Sequence, residues 1–213
     1  MSSKYSRSLQ ELIGPLPENA ICDTLVRAQV RRLIVLKPHN FLHMENIFMD
    51  HAAIEEQRPA PDFTLPAIGS DDIVKDGKVR LSDLRGKNVV LYFYPKDDTP
   101  GCTKEACSFR DANHEMQKRG IVVLGVSADD LPSHQKFAEK YGLPFPLLAD
   151  TDTTVSQLYG VWKEKNLYGK KFLGVNRETY LIDKEGIVRK IWHRVQPETH
   201  ADEVLATIEA LQM

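Results

Sequence analysis

The chain has 213 residues, 42% of them hydrophobic and 27% charged, with a formal net charge of -2. Those values fit an ordinary globular protein with one well-buried domain, which takes roughly 100–200 residues, plus an appendage, and they give no electrostatic case for nucleic acid or acidic lipid as a partner. No apolar run approaches the roughly 18–20 residues that cross a bilayer, the amino terminus lacks the order of a secretory signal, and three cysteines are too few for a disulfide framework, so a cytoplasmic location is expected, in which any disulfide is transient and catalytic.

Residues 1–55 are expected to form an amino-terminal extension. Leu25, Val26, Val30 and Leu33 with Arg27, Arg31 and Arg32 have the makings of a basic amphipathic helix. Glu11, Glu18 and Asp23 run against a targeting peptide. The expectation is that translation starts at Met44 or Met49 and that Cys22 has no role.

The two prolines of EEQRPAPDF disfavour helix and open an extended segment, placing the start of a domain spanning residues 56–213. Asp76-Gly77, between IVK and KVRL, predicts a two-residue hairpin. Asn88 to Tyr94 and Ile121 to Ser127 are continuous apolar runs, as strands buried on both faces would be. Between them a helix is expected from about Pro100 to Arg119, ended by Gly120. Further helices are expected from near Ser133 to Gly142 and from Thr153 to Tyr159. Lys163 to Lys171 reads as a solvated loop, and Trp162, Tyr168 and Phe172 as packing aromatics. Thr179 to Ile182 and Ile187 to Trp192 flank a second hairpin at Asp183 to Gly186. The helix from Thr199 to Leu211 carries Val204, Leu205, Ile208 and Leu211 on one face. Together these elements predict an α/β fold with a mixed central β-sheet flanked by helices.

The chemistry concentrates where the first buried strand enters the first helix. Thr99 suits the N-cap, Pro100 the first helical position, and Cys102 then lies in the first turn. Unpaired N–H groups and the positive end of the helix dipole favour sulfur as thiolate there, the form that attacks peroxide oxygen. Cys107 lies five residues further along the same helix. In ideal geometry the two Cα atoms stand about 8–9 Å apart, whereas a disulfide needs less than about 7 Å. If the two pair, the start of the helix must unwind.

Pro95, Thr99 and Cys102 form a Pro-x-x-x-Thr-x-x-Cys pattern that resembles the active-site signature of peroxiredoxins. Thr-Pro-Gly-Cys followed by Cys107 is similar to the bacterioferritin-comigratory-protein, or peroxiredoxin Q, branch. The likeness runs over roughly residues 58–211, through PAPDFTLP, VVLGVSADD, KYGLPFPLLAD and RETYLIDKEG. It implies a thioredoxin-like fold and a thiol peroxidase, with Cys102 as the peroxidatic and Cys107 as the resolving cysteine. It further implies that Thr99 hydrogen-bonds the peroxide, that Pro95 shields the sulfur and that Arg177 stabilises the thiolate. The implied partners are a hydroperoxide and thioredoxin or a related dithiol protein. A monomer is expected, with a dimer left open.

Other readings stand beside these. Cys107 could simply fill the buried helix face with Ala106 and Phe109, and Arg177 could pair with Glu178 or Asp183 at the surface. The histidines show no ligand spacing, so no metal or cofactor is expected. The competing functions are a thioredoxin-like thiol–disulfide oxidoreductase, which would usually carry Cys-x-x-Cys, and a redox sensor.

Overall fold

The computed structural model describes residues 54–70, 72–167 and 169–213. The expectations for the amino-terminal extension, Cys22 and Tyr168 lie outside the described residues. In chain order the elements are β1 (Thr64–Ile68), β2 (Lys78–Arg80), a 3-10 turn (Leu81–Leu84), β3 (Asn88–Phe93), α1 (Pro100–Lys118), β4 (Ile121–Ser127) and α2 (Leu131–Tyr141). They continue with β5 (Leu147–Ala149), α3 (Thr154–Leu158), β6 (Trp162–Leu167), β7 (Lys170–Val175), β8 (Glu178–Ile182), β9 (Val188–Trp192) and α4 (His200–Ala210).

Seven strands form one mixed sheet in the order β2-β1-β5-β4-β3-β8-β9. β3, β4 and β5 run parallel, while β1 and β8 pair antiparallel at either side of them. The two continuous apolar runs are β3 and β4, buried along their whole length at the centre. β3 shows why both faces must be covered. Val89, Leu91 and Phe93 join a core with Leu124, Val126, Tyr159 and Tyr180. Val90, Tyr92 and Tyr94 join the opposite core with Phe109, Phe137, Val204 and Ile208, which brings α1, α2 and α4 onto that face. Each large apolar side chain so buried contributes roughly 1.5–3 kcal/mol. Gly125 interrupts β4 for a steric reason: a Cβ there would stand 2.7 Å from Tyr92 Oη and 2.9 Å from a Leu147 methyl. The glycine makes room for the Tyr92 ring, which stacks on Phe109 of α1.

Several expectations need correction. The Asp76-Gly77 turn exists, with positive φ at both residues, but the segment before it contributes only a bridge from Lys75 to Lys78. Ile73 and Val74 instead donate their N–H groups to the Ser70 carbonyl, and β2 pairs with β1. α2 starts at Leu131 rather than Ser133, because the Asp130 carboxylate caps it by accepting from Ser133 N at 2.9 Å, with Pro132 in the first turn. β5 was not anticipated; it is three residues long, too short to show a period. Leu211 is exposed, since α4 ends at Ala210 and its buried face runs through Ala201, Val204 and Ile208.

The largest difference is at Lys163 to Lys171. It is an antiparallel hairpin, β6 with β7, in register from Trp162↔Val175 to Leu167↔Lys170. Its lysines and glutamates mask the strand pattern in the sequence, because both faces of the ribbon carry charged groups. Trp162 packs against the core as expected, but Phe172 does not and is exposed.

Candidate active site

Between β3 and α1 the chain must turn from the sheet into a helix directed back along it, and the loop from Pro95 to Thr99 does this under several clamps. Tyr94 Oη donates to Asp97 Oδ1 at 2.7 Å, Ser133 Oγ donates to Asp97 Oδ2 at 2.7 Å, and His134 Nδ1 lies 2.9 Å from the same oxygen. The Asp97 N–H donates to Asp129 Oδ2 at 2.8 Å. Burial works to raise the Asp97 carboxyl, but the bonds and charge from His134, Ser133 and Tyr94 hold it below the ordinary carboxylate range. Next to it, Asp98 accepts from Lys140 Nζ at 2.7 Å and from Tyr141 Oη at 2.5 Å. The loop is thereby fastened to both ends of α2.

Thr99 occupies the N-cap position in an extended conformation, as expected, but its side chain does not cap the helix. Its hydroxyl donates instead to the Lys96 carbonyl at 3.0 Å. Pro100 lies in the first turn, while Pro95 is exposed at the start of the loop.

Cys102, the third residue of α1, is 2% exposed. Arg177, in the two-residue link between β7 and β8, donates from Nη2 to Cys102 Sγ at 3.2 Å. Its Nη1 is paired with Glu105 Oε2, one helical turn beyond Cys102. One guanidinium therefore joins the thiol to a fully buried carboxylate. The surface reading of Arg177 is corrected: Glu178 is taken by Lys163 at 2.9 Å and His193 at 2.7 Å, and Asp183 lies near Arg189. Successive residues of an extended chain point to opposite sides, so Arg177 faces α1 while Glu178 faces away.

Burial opposes the charge of Arg177, but Glu105 and Cys102 outweigh it and raise its affinity for the proton. For Glu105 the balance falls the other way: burial pushes its carboxyl up to about 7, against the pull of Arg177. Its Oε1 is buried and has no hydrogen-bond partner among the described residues. Glu105 was missed in the sequence because glutamate in a helix ordinarily faces water. Its spacing of three from Cys102 was the available signal, since it shares that helix face.

Gly101 was also passed over. A Cβ on it would stand 3.3 Å from Arg177 Nη2, so the guanidinium would have to give by a few tenths of an ångström. Gly101→Ala is expected to leave thermal stability undiminished, because alanine is the better helix former by up to about 1 kcal/mol. Alkylation of Cys102 by iodoacetamide, followed by stopped flow, should nevertheless slow roughly three- to tenfold through the displaced cation.

Cys107 is half-buried and, like Cys102, a free thiol. Ala106 and Phe109 are on the buried face of α1, and Cys107 is off it, which weakens the packing reading. The Arg110 guanidinium stands beside it: Asp111 is the main group strengthening that cation, and the Cys107 sulfur adds to it. Both cysteines lie on the uninterrupted α1. The ideal separation of about 8–9 Å therefore applies in this state.

Among the described residues no three His, Cys, Asp or Glu side chains stand together as a metal site, and no helix is long and apolar enough to cross a membrane.

A thiol at a helix mouth, bonded to a fixed cation on a mixed α/β sheet, defines a thiol-based redox enzyme. The AhpC/TSA family model matches residues 57–191. Over 156 residues the chain is 44% identical to peroxiredoxin Bcp of Bacillus subtilis, spanning 73% of this chain and 96% of that protein. It is 43% identical over 162 residues to the chloroplastic peroxiredoxin Q of Populus jackii, spanning 75% of this chain and 70% of that protein. Among solved structures, the bacterioferritin comigratory protein of Xanthomonas campestris, studied for alkyl peroxide reduction, superposes with a TM-score of 0.64 at 39% identity, covering 71% of this chain and 92% of that one. A cysteine-to-serine mutant of Xylella fastidiosa PrxQ gives 0.69 at 32% identity, covering 76% and 99%. The chain belongs to the AhpC/TSA family, in its Bcp and peroxiredoxin Q branch. It is a thiol peroxidase with a thioredoxin-like fold, acting on a peroxide with a thiol reductant.

Proposed function

We propose that Cys102 is the peroxidatic cysteine, Cys107 the resolving cysteine, and thioredoxin or a related dithiol protein the reductant. The observation that carries this reading is the 3.2 Å contact from Arg177 Nη2 to Cys102 Sγ. In the first step the Cys102 thiolate attacks the nearer peroxide oxygen; the S–O bond forms, the O–O bond breaks and its electron pair leaves on hydroxide or alkoxide, which takes a proton. In the second, Cys107 displaces hydroxide from the sulfenic acid, giving an intramolecular disulfide and water. Two electrons from the dithiol reductant then restore both thiols.

The fixed guanidinium faces the sulfur from which negative charge departs, which suits it to stabilise both thiolate and transition state. Thr99 keeps its hydroxyl proton on the Lys96 carbonyl at 3.0 Å, so its role is to turn that donor to the bound peroxide. Pro95 is assigned to cover the sulfur. The helical spacing requires α1 to unwind before the disulfide closes. Residues 56–213 are the catalytic domain in this reading, residues 1–55 an extension, and the enzyme a cytoplasmic monomer, because both thiols are supplied by one chain.

Cys107 supplies the test. After one equivalent of hydrogen peroxide, non-reducing peptide mapping of the wild type should recover Cys102 linked to Cys107. Cys107→Ser should consume the first equivalent at the wild-type rate, then stall as sulfenic or sulfinic acid. Its turnover with thioredoxin, thioredoxin reductase and NADPH should fall by at least roughly tenfold. Undiminished turnover in that variant would remove Cys107 from the cycle. Protein disulfide exchange without peroxide consumption would point to the oxidoreductase reading.

A further inference from the structure

The lysines of the β6–β7 hairpin are not equivalent. Lys163 pairs with Glu178 at 2.9 Å and Lys171 with Glu164 at 3.0 Å. Lys165 is half-buried, and among the described residues no carboxylate pairs with it. Its Nζ donates to the Val175 carbonyl at 2.5 Å, two residues before Arg177. Its stem lies over Gly174, where an added Cβ would be 3.6 Å from Lys165 Cδ. An ammonium with no carboxylate partner among the described residues is thereby held against β7, the strand that leads into Arg177.

We propose that Lys165 is a second cation of the peroxidatic centre, acting through space on the negative charge that the Cys102 sulfur carries in the reaction. The balance of forces on Lys165 agrees: burial comes first and the like charge of Arg177 second in lowering its affinity for a proton, while negative charge on Cys102 opposes both. The groups acting on this sulfur then come from four places in the fold: the β7–β8 link, β6, α1 and β3. Arg177 and Lys165 are the cations, Glu105 moderates Arg177 from α1, and the Tyr92 phenol on β3 is held neutral, by burial first and then by the negative charge of Glu105 and Cys102. Lys165 is a positioning residue in this account, since its nitrogen is bonded to backbone rather than to the reacting atoms.

The inference rests on Cys102 being the peroxidatic thiol, so Cys102→Ser is measured in the same series; full peroxide turnover in that variant refutes the thiol assignment, whatever Lys165 does. Three substitutions at Lys165 separate charge from scaffolding. Lys165→Met removes both charge and donor, Lys165→Gln keeps a donor without charge, and Lys165→Arg keeps both. For Met and Gln the second-order rate with hydrogen peroxide should fall roughly three- to tenfold, which corresponds to about 0.7–1.4 kcal/mol of activation free energy. Their curves of Cys102 alkylation rate against pH should be displaced to higher pH, while Lys165→Arg stays near wild type. Thermal midpoints are recorded for all three, so that rates are compared between folded proteins. The proposal is overturned if Met and Gln match wild type in rate and curve, or if Arg is as slow as Met, which makes the residue a strut for the hairpin.

Discussion

Cys102→Ser is expected to abolish peroxide turnover while leaving a folded protein. A serine hydroxyl is not ionised near neutral pH and is a poor nucleophile towards peroxide oxygen, so the loss should be at least about a thousandfold, on the scale seen when a nucleophile is removed from a catalytic unit. The site should survive for a separate reason. Cys102 is 2% exposed, and its sulfur receives a hydrogen bond from Arg177 Nη2. A hydroxyl oxygen can accept that bond and fills nearly the same volume, so unfolding stability should change by about 1 kcal/mol or less. NADPH consumption in a coupled assay reads the activity, and a urea titration reads the stability. Retained turnover would move the chemistry to another residue; a collapsed urea midpoint would mean that Cys102 is chiefly a packing residue.

How far the site could be read from the sequence depends on the range of the physics involved. Helix-mouth chemistry is local, so Thr99, Pro100 and Cys102 fall in the positions assigned to them. Buried strands announce themselves by composition, and β3 and β4 match their expected ranges closely. Arg177 reaches its place only through the pairing of β8 with β3, 75 residues from Cys102 along the chain. Family resemblance named it, and no local pattern could. Glu105 and Gly101 went unread because each matters only once Arg177 is in place, the one as its counter-charge and the other as the space it occupies. The Asp97–His134 clamp was hidden for the same reason: it joins a loop to a helix 37 residues away. Lys165 was obscured differently, since charged residues on a two-stranded ribbon read as solvated loop until the register of β6 with β7 is known.

Arg177 and Glu105 allow the catalytic and structural parts of this arrangement to be separated. Arg177→Met should slow the reaction of Cys102 with peroxide by roughly 10²–10³-fold, the cost of losing one fixed donor to a developing charge. It also strips a fully buried carboxylate of its partner, which commonly costs about 3–5 kcal/mol. The stability cost should depend on pH. In the intact protein burial raises the Glu105 carboxyl from 4.5 to about 7 despite Arg177. A carboxyl whose folded-state value is raised binds its proton more tightly when folded, so its contribution falls as pH climbs from about 4.5 to about 7 and then levels off, by an amount of order 3 kcal/mol. Removing Arg177 removes the lowering influence, so in Arg177→Met the decline should continue above pH 7, and the variant should differ least from wild type in acid. Glu105→Gln abolishes the titrating group and should flatten this part of the profile. The double variant Arg177→Met/Glu105→Gln should then recover most of the stability lost at pH 8, because no unpaired buried charge is left, yet remain as slow with peroxide as Arg177→Met alone. Recovery of both stability and rate would reduce Arg177 to a structural counter-ion for Glu105. Recovery of stability without rate leaves the guanidinium acting on the sulfur, with the carboxylate serving to hold it there.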